Sequence, residues 1–173
     1  MGRVTLNPVK HIDPIGTIAV PLGILLMAKL FGAPPLLFGW AKPVPVDFGR
    51  LRKPKRDMAW VALAGPAVNL AMAILWAFTL RFSWEDQQGF FFQMALAGVQ
   101  INLVLMALNL FPLPPLDGGR IVFSLLPHRL AWQYARIEPY GMLIVIVLLV
   151  SGVLWQLLAP LLYLGQSVVM WFI

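Results

Sequence analysis

Cysteine is absent from this 173-residue chain, histidine occurs twice, and acidic residues number seven. The first absence excludes a disulfide framework and any thiolate metal site. The histidines are His11 and His128 and the acids are Asp13, Asp47, Asp57, Glu85, Asp86, Asp117 and Glu138, so few side chains are available for metal binding or acid–base chemistry. Charge is also scarce: 12% of residues are charged and 60% are hydrophobic, which places the chain in the membrane class. No soluble block separates the apolar runs, so residues 1–173 read as a single membrane domain. The net charge of +6 lies in the loops between those runs, a topological pattern that calls for no nucleic-acid partner. Met1 to Asp13 is polar and lacks the apolar core of a signal peptide.

What remains is a series of apolar segments. Residues 1–14 form a polar lead-in broken by Pro8 and Pro14. Residues 15–37 are apolar apart from Lys29, which can snorkel, and they read as a span or a re-entrant hairpin. Residues 38–58 hold Lys42, Arg50, Arg52, Lys53, Lys55 and Arg56 against Asp47 and Asp57, so the positive-inside rule makes this loop cytoplasmic. Its Val44-Pro-Val46 core is β-prone, and its proline allows at most an edge strand.

Residues 59–80 are charge-free over the ~20 residues a spanning helix needs. Gly65, Asn69 and Ala73 recur every four residues on one face, which predicts close helix packing. After a polar turn at 81–89, residues 90–111 return across the membrane, with Asn102 and Asn109 sharing a face. Residues 120–138 carry Arg120, His128, Arg129 and Arg136 and read as a second cytoplasmic loop. A helix is expected over 139–158, followed by an apolar C-terminal segment at 160–173. The expected architecture is an all-α integral membrane protein with about four to five transmembrane or re-entrant helices and a short β-prone cytoplasmic loop.

The stretch from Asn102 to Arg120 organises the rest. Its apolar run ends at Pro112, Pro114 and Pro115, which break the helical hydrogen-bond ladder, so residues 111–117 should be extended. Non-helical backbone at membrane depth must be covered by protein or face a wet cavity. An ionisable Asp117 there, followed by two glycines that permit close approach, is a functional-site candidate. The bland alternative is a residue that caps the following structure or pairs with Arg120.

Asn109-Leu-Phe-Pro-Leu-Pro-Pro-Leu-Asp117-Gly-Gly-Arg120 resembles the site-2 protease family of intramembrane zinc metalloproteases, in its short prokaryotic branch. Leu6-Asn-Pro-Val-Lys-His-Ile-Asp-Pro-Ile-Gly-Thr17, Phe38-Gly-Trp-Ala-Lys-Pro-Val-Pro-Val46 and Arg56-Asp-Met-Ala-Trp-Val-Ala-Leu-Ala-Gly-Pro-Ala-Val-Asn69 fit the same family in the same order. The resemblance implies that Asp117 is a zinc ligand and that Asn109 helps hold the substrate carbonyl. It further implies a membrane-spanning protein or peptide as substrate, the lipid bilayer as environment and the prokaryotic plasma membrane as location. His11, Asp13 and Asn69 are secondary candidates, the first two as substitute ligands and the third as a packing residue near the site.

One family feature is missing from these residues. The His-Glu-x-x-His helix, whose histidines bind zinc and whose glutamate activates water, does not occur in the sequence. The block from Arg3 resembles the segment C-terminal to that helix in relatives, so a truncated chain is the expectation. A catalytically inactive relative that binds transmembrane helices is the alternative. A broken-helix transporter would explain the prolines and Asp117 but not the ordered blocks.

Overall fold

The computed structural model describes residues 14–19, 22, 23, 26 and 54–173. The chain divides into two units, Met1–Phe48 and Gly49–Ile173. In the first, Pro14–Ala19 forms a short π-helix. Most of 15–37, the basic loop 38–58 up to residue 53 with its Val44–Val46 core, and the candidates His11 and Asp13 lie outside the described residues.

The second unit is built of helices, and among the described residues there is no strand. Helix α1 is Pro54–Phe82, 29 residues with Asp57 in its first turn and Arg81 in its last, the signs that suit the helix dipole. Pro54 occupies the first helical position, where its missing amide proton costs nothing. At ~1.5 Å per residue such a helix exceeds the ~30 Å of a hydrocarbon core. Its buried residues, Ala62, Pro66, Ala73, Ala77 and Leu80, recur at helical spacing and four of the five are small or compact. That face packs on α2, Phe90–Leu110, whose buried residues are Phe92, Ala95, Val99, Leu103, Met106 and Ala107. Small residues let two backbones approach, which is how helices hold together where lipid removes the hydrophobic drive. The spacing of Gly65, Asn69 and Ala73 therefore lies beside a close contact, with Ala73 and Ala77 fully buried in one cluster with Val99, Leu103 and Met106.

The prolines end α2 at Leu110, and Phe111–Leu116 is non-helical, with a cis peptide between Pro114 and Pro115. Helix α3, Asp117–Leu125, then begins at the candidate aspartate itself, so Asp117 is the first residue of a helix and not the last of the extended segment expected over 111–117. Helix α4 is His128–Ala135 and α5 is Glu138–Val150. The expected loop 120–138 is thus mostly helical, because its apolar residues repeat over two short amphipathic turns that the charge count did not register.

The apolar C-terminal run is also divided differently. The break falls at Ser151 and Gly152, with Gly152 at φ 76°, and α6 runs Val153–Met170 straight through Pro160. Glycine reaches the left-handed region without the penalty a side chain would impose, whereas a proline inside a membrane helix can be tolerated by its surroundings. Helix α6 packs on α2 and α5: Val169 joins the Ala73 cluster, and Leu154 and Leu158 join Ala107 and Val145.

Three of these helices, α1, α2 and α6, are long and apolar enough to cross a membrane, and α4 with α5 forms a pair bent by 60° that could act as a fourth span. The protein is an all-α membrane protein.

Candidate functional site

The backbone between α2 and α3 is fixed from three sides. Within it, the Leu113 amide donates to the Phe111 carbonyl at 2.8 Å and the Leu116 amide to the Leu113 carbonyl at 3.0 Å. From α4, the Tyr134 hydroxyl donates to the Pro112 carbonyl at 3.0 Å. This gives a partner to a loop carbonyl that no helix satisfies.

Glycines account for the tightness. A Cβ on Gly119 would lie 2.6 Å from the Leu113 carbonyl carbon, and one on Gly141 in α5 would run into the Pro114 carbonyl oxygen. A Cβ on Gly118 would meet the Leu110 and Phe111 carbonyls. Pro114 is buried as a result. The loop is gripped between the first turn of α3 and the first turn of α5. The far end of α3 is tied as well, since Lys55 at the start of α1 donates through Nζ to the Leu126 carbonyl at 2.6 Å.

Asp117 projects from this clamped segment. A carboxylate at a helix N-terminus is favoured by the dipole and by the unpaired amides there. Asp117 is half-buried, and burial raises its pKa above the usual carboxylate value, while the nearby Arg120 guanidinium pulls it back down. Its Oδ2 faces α1: a Cβ on Gly65 would lie 2.7 Å from that oxygen. The missing side chain of Gly65 therefore makes the room that the carboxylate uses. Asn69 lies one turn further along the same side of α1 and is half-buried.

Asn109 is the penultimate residue of α2 and is half-buried, just before the proline loop. Asn102 donates through Nδ2 to the Gly98 carbonyl of its own helix at 2.8 Å. One turn back along the helix is the nearest acceptor for a short amide side chain. His128 is exposed at the start of α4.

A catalytic zinc site takes three protein ligands and an open position. Among the described residues no group of three or more His, Cys, Asp and Glu side chains could hold a metal ion. Asp117 supplies one oxygen donor, so the described residues do not make a zinc site by themselves. The contacts that hold the loop before the aspartate, from Gly141 and Tyr134, have no signal in sequence. Gly65 had one, its place in the small-residue repeat, although that repeat pointed to helix packing and not to the carboxylate.

Residues 85–152 match the model of peptidase family M50. A Bacillus subtilis (strain 168) protein named "Putative zinc metalloprotease YwhC" is 39% identical over 91% of this chain and 71% of its own length. Proteins named "Putative zinc metalloprotease Rip2" are 30% identical in Mycolicibacterium smegmatis, over 88% of this chain and 56% of theirs, and 27% identical in Mycobacterium tuberculosis, over 80% and 44%. This chain thus spans about half the length of the Rip2 relatives. No solved structure matches the chain.

Proposed function

The chain belongs to peptidase family M50, the site-2 protease family, and from that premise we propose that it carries one side of an intramembrane zinc metallopeptidase centre. In this reading Asp117 gives one zinc ligand and Asn109 holds the carbonyl of a membrane-spanning protein substrate. Asn69 packs beside them from α1. Among the described residues no group supplies the other zinc ligands. The observation that carries the reading is the aspartate itself: a half-buried carboxylate at a helix N-terminus, clamped by the loop before it and turned into a gap on α1. An ionisable side chain beside membrane-spanning helices is rare unless it has a task. The names of the relatives support zinc as the metal.

The test is zinc content and cleavage in the full-length gene product, wild type against Asp117→Ala. The variant should fold and lose both zinc and cleavage of a transmembrane substrate. Equal zinc content in folded wild type and variant would remove Asp117 from the ligand set.

A second reading keeps the architecture without the reaction: an inactive relative that binds transmembrane helices. It is favoured by the lack of His-Glu-x-x-His in the sequence and by the fact that, among the described residues, no group of three or more potential ligands could hold a metal ion. Full-length product that holds no zinc yet captures transmembrane segments would select it.

We place the chain in the prokaryotic plasma membrane with residues 38–58 and 120–138 on the cytoplasmic side, on the strength of their basic charge. A reporter fused after residue 57 should read as cytoplasmic; a signal from the opposite side would overturn the orientation.

A further inference from the structure

Helix α4 is unlike the rest of the described unit. It lies in a chain segment without acids, since no Asp or Glu occurs between Arg120 and Ile137. Arg129, Trp132 and Arg136 fall three and four residues apart and so share one face, and all three are exposed. Leu130 is exposed at 48% and Trp132 at 61%, which is apolar surface next to positive charge. The buried side of the helix is small, with Ala131 at 2% exposure. The Arg136 guanidinium stacks over the Trp132 ring at 3.7 Å from its centre. Stacking holds the guanidinium plane while leaving its in-plane N–H groups free for a phosphate.

The position of α4 is set by α5. That 13-residue helix carries no charge beyond Glu138, and α4 departs from it at 60°. Two arginines and a histidine within α4 and its cap would be expensive in hydrocarbon. A basic amphipathic helix turned away from the end of an apolar one suits the headgroup layer, where tryptophan also prefers to lie.

We infer that α4 is an interfacial helix that docks on anionic phospholipid headgroups through Arg129 and Arg136, with Trp132 on their face at the acyl boundary and Leu130 on the flank beside Arg129. The occupant is a lipid phosphate and not a soluble one, because the exposed apolar side chains stand beside the arginines. Tyr134 on the same helix bonds the Pro112 carbonyl, so the docked helix is joined directly to the loop that leads to Asp117. The surface is separate from that site, and its test needs no peptidase activity.

The chain has no cysteine, so Leu130→Cys gives a unique position for an environment-sensitive fluorophore. The labelled chain is reconstituted in vesicles of phosphatidylcholine alone and of equal parts phosphatidylcholine and phosphatidylglycerol, and read by emission and by quenching with acrylamide, which is uncharged. Each arginine near an anionic surface should favour docking by about fivefold. The expected result is a blue shift and protection from acrylamide in the phosphatidylglycerol vesicles, both removed by Arg129→Gln with Arg136→Gln. Circular dichroism of the double variant checks that it remains folded. Four results would overturn the inference: equal emission in both vesicles, a lipid dependence retained by the double variant, full protection in both compositions, or the same shift when inorganic phosphate is added in detergent. The third would put α4 inside a span, and the fourth would make phosphate alone the ligand.

Discussion

Oδ2 of Asp117 fills the space that a side chain on Gly65 would need, with only 2.7 Å between that oxygen and a Cβ built on the glycine. Two distant parts of the chain meet there, the middle of α1 and the first residue of α3. What would have to move is the end of a short side chain and not backbone. Gly65→Ala should therefore leave the melting temperature within a few degrees of wild type while the carboxylate swings out of place. In the full-length product, zinc content at limiting metal should reflect a fall in affinity of about tenfold, the scale of lost support around a ligand. Unchanged zinc affinity in a folded variant would show that the carboxylate does not depend on this gap.

Gly141 poses the opposite case. A methyl group there would meet the backbone carbonyl of Pro114, which is held by the rest of the loop. Gly141→Ala should destabilise the protein by about 1–3 kcal/mol through overpacking. At Gly152 nothing lies within 4 Å of a Cβ, so only the left-handed backbone resists a side chain, at roughly 1–2 kcal/mol. Unfolding in detergent should show both variants less stable than wild type. A Gly141→Ala protein as stable as wild type would mean that α5 does not grip the proline loop.

The raised pKa of Asp117 gives a pH signature in protein stripped of metal. Between the unfolded value of 3.8 and the raised folded value, the folded state keeps a proton that the unfolded state has lost. Stability must then fall as pH rises through that window, and the loss persists above it. Asp117→Asn cannot ionise, so it should be more stable than wild type at neutral pH and lack that slope. A bound divalent cation reverses the sign by favouring the carboxylate. Unfolding measured across pH in chelator should show the two curves converging at the acid end. Parallel curves would show that burial does not disfavour the charge.

Sequence alone makes the spanning helices legible where composition is extreme. The charge-free run 59–80 falls within α1, and the prolines at 112, 114 and 115 end α2 where their missing amide protons require. Short amphipathic helices are less visible: α3 and α4 sit in a stretch whose positive charge reads as loop. Gly152 and Pro160 both look like breakers, and only the backbone tells that the glycine breaks and the proline does not. At the site, Asp117 stands out because a carboxylate beside prolines and glycines is unusual in an apolar chain. Its neighbours do not, because Gly65, Gly141 and Tyr134 act through contacts that exist only after α1, α4 and α5 have packed.

Tyr134 tests whether the loop is held from α4. Tyr134→Phe keeps the ring and removes the hydroxyl that donates to the Pro112 carbonyl at 3.0 Å. The bond is exposed, so water can replace it, and its net contribution should be about 0.5–1.5 kcal/mol. Most of that should appear locally and not as a lower melting temperature, because the two hydrogen bonds inside the loop, from Leu113 to Phe111 and from Leu116 to Leu113, remain available. Hydrogen exchange at the Leu113 and Leu116 amides should therefore quicken by roughly three- to tenfold, while amides in the middle of α1 and α2 keep their rates. If both loop amides exchange as slowly in Tyr134→Phe as in wild type, the glycine contacts of Gly119 and Gly141 hold the loop without help from α4, and the hydroxyl is a surface contact with no part in placing Asp117.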